Sequence, residues 1–264
     1  MKKIVFWILI VAVLGTFASG CTKKEKPVQT QNIQSEWRNF PLPSLKKLLS
    51  DLDYLKNADF SKSLPTEIYS VEETVYQASF ALGVHTADAI LSVKARNKTV
   101  LIELSQKMIE YSNLVGIDEQ VLKLADELKG YIEQEDWAKL EDSLEKYQLE
   151  VQSSLYKAKR YDVFTLMQLG GWMEGLNRIS YLVNHNYQIK YSSIVDQRGI
   201  LNSLIQNMQL IDNKKITEAP YYKVAYTNLG QIKSIIYNST DSTYTVEQLT
   251  ELEKLTDEIL KAVK

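Results

Sequence analysis

His85 and Asp88 are the one histidine–carboxylate pair in the sequence spaced for short-range chemistry. On a helix, positions three apart share a face, so the two side chains suit either a pair of metal ligands or a hydrogen-bonded couple. Two donors do not specify a metal. The second histidine, His185, stands between Asn184 and Asn186 and reads as a surface residue of a polar linker. Ser–His–Asp catalysis needs only that its members meet in space, yet two histidines and no strand-borne nucleophile make it a poor expectation. G-x-S-x-G, a Walker loop, H-E-x-x-H and C-x-x-C are all missing from the sequence. The expectation is a protein that is not an enzyme.

Gly83, Gly170, Gly171 and Gly175 fall inside helical patterns, where each glycine costs about 1 kcal/mol relative to alanine. Something must offset that cost. Either one helix backbone rests on a glycine of another, or the glycines form a notch that admits a ligand, with Trp172 and Tyr181 beside it. Tyrosine is also abundant, with 16 copies, and Tyr181, Tyr187, Tyr191, Tyr221, Tyr222 and Tyr226 gather in the second half. Such a cluster suits a recognition surface, because it joins a rigid apolar ring to a polar tip. It equally reflects a composition rich in tyrosine, asparagine, isoleucine and lysine. The charged run from Glu133 to Lys146 reads as a solvated helix face.

The elements that must position these residues are helices. Apolar residues recur at three- and four-residue spacing throughout, the mark of a helix burying one face. One stripe runs from Ile68 through Val71, Val75, Ala78 and Leu82 to Val93, and the next from Leu101 to Val115, stopped by Gly116. Asp118 suits the N-cap of a third helix, and Trp137 to Leu155 form a fourth. Leu166 to Val183 and Ile194 to Ile211 follow, then a helix opened by Pro220 and a last one opened by the capping box Thr245/Gln248. A short leading helix is expected over 45–55. No segment alternates as a strand does. The fold class is therefore all-α, with about eight main helices.

These eight resemble two copies of a four-helix unit, over 65–157 and 160–264. Leu82-Gly83 and Leu169-Gly170 mark the first helix of each, and Leu104, Met108, Tyr111 and Leu114 match Leu201, Ile205, Met208 and Ile211 in order. Duplicated units would pack as a helical bundle or as stacked hairpins. With 45% hydrophobic and 24% charged residues, the chain has an ordinary globular composition, neither disordered nor polytopic. The span 41–264 is long enough for a continuous core without metal or disulfide. A formal charge of −2 offers no basic stripe for phosphates, which argues against nucleic acid as a partner.

The N-terminus is organised differently. Lys2 and Lys3 precede an unbroken apolar run from Ile4 to Leu14, followed by Gly15-Thr16-Phe17-Ala18-Ser19-Gly20-Cys21. A basic head, a short apolar body and small residues at a cleavage site make up a secretory signal. The run is shorter than the roughly 20 residues a spanning helix needs. Ala18-Ser19-Gly20-Cys21 resembles the lipobox of bacterial lipoproteins, with Ala18 where leucine is commoner. The resemblance implies removal of 1–20 by signal peptidase II, a diacylglyceryl thioether on Cys21, and attachment to the membrane through acyl chains such as palmitate. Each buried methylene contributes about 0.8 kcal/mol, so two or more chains hold firmly. Residues 21–40, beginning Cys21-Thr22-Lys23-Lys24, are polar and without period and read as a flexible tether, with a reach of roughly 25 Å. The expectation is an exported protein, lipid-anchored to the cell membrane or the outer membrane, its domain in the periplasm or outside the cell.

The run Gly83-Val84-His85-Thr86-Ala87-Asp88 resembles the G-x-H-x-x-E motif of imelysin-like proteins, with Asp88 in place of the glutamate. That resemblance covers six residues. It implies an exported, duplicated helical bundle associated with iron, using His85 and Asp88. The reading taken from the chain as a whole is different: a non-enzymatic helical binding or scaffold domain, without cofactor beyond the lipid on Cys21, whose partner is an envelope protein, peptide or small ligand. His85, Asp88, Gly83, Gly170, Gly171 and Trp172 are the residues to watch.

Overall fold

A computed structural model describes residues 50–55, 58–71, 74–239 and 241–264. The leader, Cys21 and the tether lie outside the described residues, as does most of the expected helix over 45–55, of which only 50–52 are described as helical. The chain is all-α, and no strand occurs among the described residues. Among the described residues eight long helices carry the fold: α1 Val75–Lys94, α2 Lys98–Val115, α3 Glu119–Gln134, α4 Trp137–Lys157, α5 Tyr161–His185, α6 Arg198–Gln209, α7 Pro220–Tyr237 and α8 Val246–Val263. None is long and apolar enough to cross a membrane.

The helix starts follow local chemistry. Thr74, Asn97 and Asp136 each accept a hydrogen bond from the backbone N–H three residues on, satisfying a donor that the first turn leaves free. Pro220 occupies the first turn of α7, and Thr245 with Gln248 closes both halves of the capping box before α8. Gly116 ends α2 in the left-handed region at φ 74°. Three other turns are built alike without glycine. Arg96, Glu135 and Lys159 take φ of 51°, 55° and 56°. In each the following residue's N–H bonds back to the helix just ended: Asn97 to Ser92, Asp136 to Tyr131, and Arg160 to Leu155. Chain reversal is therefore immediate, and α1–α2 and α3–α4 form close hairpins. The Glu133–Lys146 charge run is consequently not one face. It spans the end of α3, this turn and the start of α4.

The first stripe is corrected at its beginning. Ile68 and Val71 belong to a non-helical lead-in, and α1 starts only at Val75. Tyr69 on that lead-in is buried and donates its hydroxyl to Leu260 O of α8 at 2.7 Å, while Gln77 donates to Val263 O at 2.8 Å. Both bonds satisfy carbonyls that the end of α8 would otherwise leave open. The stripe from Ile194 to Ile211 is corrected as well. Short turns at Ile189–Ser192 and Ser193–Val195 precede α6, which begins at Arg198.

The most extensive contact in the fold lies between α1 and α5. The two run in the same direction, Phe80 meeting Gly170 near their starts and Asp88 meeting Arg178 further on. Fifteen residues of each are buried. Around this pair α2 packs on α1 and α8 on α5, α4 touches both, and α6 touches α5; α3 is held between α2 and α4, and α7 between α6 and α8. The outer helices bury single stripes, such as Val121, Leu124, Leu128 and Ile132 of α3 or Leu249, Leu252, Ile259 and Val263 of α8. A continuous hydrophobic core runs through both groups.

Candidate functional site

Glycine lets α1 and α5 meet backbone to backbone. A Cβ on Gly83 would collide with the Met167 carbonyl oxygen and come within 2.7 Å of the Gly171 amide nitrogen. A Cβ on Gly170 would collide in the same way with the Phe80 carbonyl oxygen. The contacts are reciprocal. Each glycine rests on the carbonyl one helical turn before the glycine of the other helix. Gly171 lies over Gly83, where a Cβ would stand 3.2 Å from the Gly83 oxygen. Close approach is thus what offsets the helix cost at Gly83 and Gly170.

The same seam floors a cleft. Gly83, Thr86, Ala87, Ile90 and Leu91 of α1 face Gln168, Gly171, Trp172, Gly175 and Ile179 of α5 across a cavity of about 130 Å³. Tyr147 and Val151 of α4, Ile200 of α6 and Leu52 of the short helical segment 50–52 add to its walls. Gly175 has nothing within 4 Å of where a Cβ would sit, so its missing side chain opens the space. The lining is almost wholly apolar. Trp172 donates its indole N–H to Gln197 Oε1 at 2.9 Å, which leaves the ring to the cleft. Gln168 is 5% exposed. Its Oε1 accepts a long bond of 3.5 Å from Asn207, and its Nε2 has no partner. Tyr181, expected beside this notch, packs instead on His185 at the exposed end of α5, with ring centroids 3.8 Å apart.

His85 and Asp88 lie on the opposite face of α1, by the 100° step of the helix. Both are fully buried. The His85 ring stacks on Tyr111 at 5.4 Å and 15°, and the edge of Tyr69 meets it at 6.5 Å. Neither ring nitrogen has a hydrogen-bond partner, nor has either Asp88 oxygen, so the two side chains do not form a hydrogen-bonded couple. Burial, and next the charge of Lys107, pulls the His85 imidazole down to about 4, which keeps it neutral. Asp88 faces α5. Arg178 stands 3.8 Å from its carboxylate and 2.5 Å from that of Glu174, itself buried. Burial first, and then the charge of Glu174, pushes the Asp88 carboxyl well above the ordinary range, against the pull of Arg178. Burial opposes the Arg178 charge, but Glu174 and Asp88 outweigh it and raise that group. The arrangement is a buried acid whose charged form is disfavoured, beside one ion pair, with a neutral imidazole between two aromatic rings one turn away.

Comparison with protein-family profiles, with curated proteins and with solved structures gave no match. The geometry therefore stands alone. It brings Gly83, Gly171 and Trp172 together on one cavity and puts Gly170 in the packed seam beneath. It sets His85 and Asp88 apart from that cavity. Among the described residues, no three His, Cys, Asp or Glu side chains are gathered so as to hold a metal ion. His185 is exposed at the end of α5, as its polar neighbours suggest. Glu174, Arg178 and Gln168 are the site residues that the sequence does not single out. A signal is present: the first two are i, i+4 charges, and the third an amide, in a helix otherwise apolar along its buried faces.

Proposed function

We propose that the chain is a lipid-anchored protein of the bacterial envelope whose helical domain binds a small apolar ligand without transforming it. The anchor rests on the leader and Cys21. The binding role rests on one observation, the open apolar cleft at the α1–α5 seam. Well-packed interiors leave few voids larger than a water molecule, and binding sites are concave, apolar and furnished with few polar groups. Apolar cavities of about 150 Å³ admit a benzene-sized molecule, so this one suits a single ring or a short alkyl segment. Gly175→Leu tests it by filling a space that is empty of neighbours. Binding of an apolar fluorescent probe, read also through Trp172 emission, is expected in the wild type and lost in the variant. Equal binding by both would reject the cleft. For the anchor, Cys21→Ala is expected to abolish acyl labelling and release the protein from membranes.

A metal-linked role for His85 and Asp88 is the second reading. It has in its favour their four buried polar atoms without hydrogen-bond partners, a pattern that an ion or ordered water would satisfy. Elemental analysis of the purified protein, repeated on His85→Ala, decides it. Stoichiometric metal lost in the variant would support it, and metal-free wild type grown with iron and zinc supplied would dismiss it.

A further inference from the structure

Exposed apolar side chains gather where the chain enters the helical body. Tyr54 is 50% exposed, Tyr187 37% and Ile189 58%. Single exposed apolar residues are ordinary, but a contiguous group marks a contact face. Tyr54 meets Tyr191 edge to face, with ring centroids 5.6 Å apart. Tyr187 and Tyr191 share with Leu55, Ala58, Leu182 and Val183 a hollow of about 350 Å³, and Ile189 stands between them in sequence. The Tyr187 hydroxyl donates to Tyr244 O at 3.0 Å, which holds its ring in place. Lys190 Nζ sits 4.7 Å from the centre of the Tyr191 ring. From Gly175 to Val195 the sequence has no Asp or Glu, in a chain that carries 33. Asp53 beside Tyr54 is paired with Lys94, and Glu253 accepts from Asn184.

The position of this face points to its partner. Ser50, the first described residue, stands four positions before Tyr54, and Cys21, the expected lipid site, precedes both. Leu52 and Leu55 are buried and fix Tyr54 to the body, so the route from a lipid anchor reaches the body here. Tyrosine rings with polar tips, an aliphatic side chain and a lysine suit the boundary between headgroups and acyl chains. We propose that Tyr54, Tyr187, Ile189 and Tyr191 form a docking face for the bilayer that carries the anchor, with Ile189 entering the acyl boundary and Lys190 meeting lipid phosphates. An anchor holds the face at high local concentration over the membrane, so a contact too weak to recruit free protein is enough to orient the bound domain. The proposal rests on the anchored reading of the chain and adds which side of the domain the membrane meets.

Thiol labelling of the full chain, purified as bacteria process it, tests this. Cys21 is the one cysteine in the sequence, and a thioether leaves it no thiol to label. Ile189→Cys therefore places a nitrobenzoxadiazole label on the face alone. Tyr226→Cys is the control, at a residue 42% exposed near the start of α7. There Gln209 bonds Tyr226, and Asn213 joins Tyr76 and Asp162 at the starts of α1 and α5, the far end of the bundle from His185. Both wild-type residues are exposed, so neither replacement removes a core side chain. Each labelled chain is reconstituted in vesicles of phosphatidylcholine and phosphatidylglycerol containing a minor share of nitroxide-bearing lipid. Quenching is expected to be roughly threefold stronger at position 189 than at 226. Equal quenching at the two positions, or stronger quenching at 226, would overturn the docking face and leave the anchor intact. So would blue-shifted emission at 189 without quenching, which reports a second copy of the chain on the face in place of lipid. Label taken up by Cys21 in the unaltered chain, together with failure to float with the vesicles, would reject the anchored reading and the face with it.

Discussion

Gly83→Ala should be among the most damaging single-methyl additions in this protein. The new carbon would meet two backbone groups of α5, the Met167 carbonyl and the Gly171 amide, and neither can rotate away as a side chain would. Overpacking of this kind costs typically 1–3 kcal/mol, and a backbone obstacle belongs at the upper end. The helix gains back about 1 kcal/mol from replacing glycine, leaving a net loss of about 2 kcal/mol. At 2–4 °C per kcal/mol for a domain of this size, that lowers Tm by about 4–8 °C. Gly170→Ala, facing Phe80, should match it. The two contacts are reciprocal, so once one methyl has pushed the helices apart the second costs less, and the double variant should lose clearly less than the sum. Gly175→Ala is the control. With nothing within 4 Å, it should keep only the helix benefit and raise Tm by about 2–4 °C. Calorimetry and urea unfolding of all four variants beside the wild type decide the matter. Gly83→Ala as stable as Gly175→Ala would refute the close-approach explanation.

Other outcomes follow from buried ionisable groups and from turns. His85 is held neutral down to about 4, whereas the unfolded chain protonates it near 6.5. Stability from this group is complete above about 6.5 and lost as pH falls towards 4, by about 3 kcal/mol in all. His85→Phe, keeping a ring between Tyr69 and Tyr111, should flatten that loss in urea melts taken across the window; an unchanged slope would count against it. Asp88 acts with the opposite sign. Its raised carboxyl favours folding below about 3.8 and loses that contribution as pH climbs through the folded value. Asp88→Asn imitates the neutral acid, so its stability relative to wild type should improve between pH 4 and pH 8, and a relative decline would contradict the assignment. Glu135 holds a left-handed turn at φ 55°, a conformation that favours glycine. Glu135→Gly should stabilise by up to about 1 kcal/mol, measured as a rise in urea midpoint.

What is legible in the sequence is what depends on near neighbours. Pro220, Gly116 and Thr245 with Gln248 mark helix ends because capping is settled within four residues. The start of α1 is hard to place for a related reason. Ile68 and Val71 continue the apolar spacing of Val75 by coincidence of a half-buried non-helical segment, while Thr74 and Gln77, spaced as a cap and its third residue, carry the better signal. Gly83 and Gly170 announce a close approach through their helix cost, but their partners Met167 and Phe80 lie across the fold. The same distance hides the site. Asp88 meets Arg178 and Glu174 from another helix, and His85 is walled by Tyr69 from the lead-in and Tyr111 from α2. Gln168 reads as an ordinary polar residue until Asn207 of α6 is found against its buried amide.

Tyr69 and Gln77, where the chain enters the helical body, grip the last turn of α8, where it leaves. The route of the chain is thereby nearly a ring. A short splice from Lys264 to the lead-in, with a new opening cut in the exposed turn after His185, would give a permuted polypeptide with the same helices in the same places. Tension applied across the original entry and exit would peel α8 away first, and the α1–α5 seam would be the last to separate.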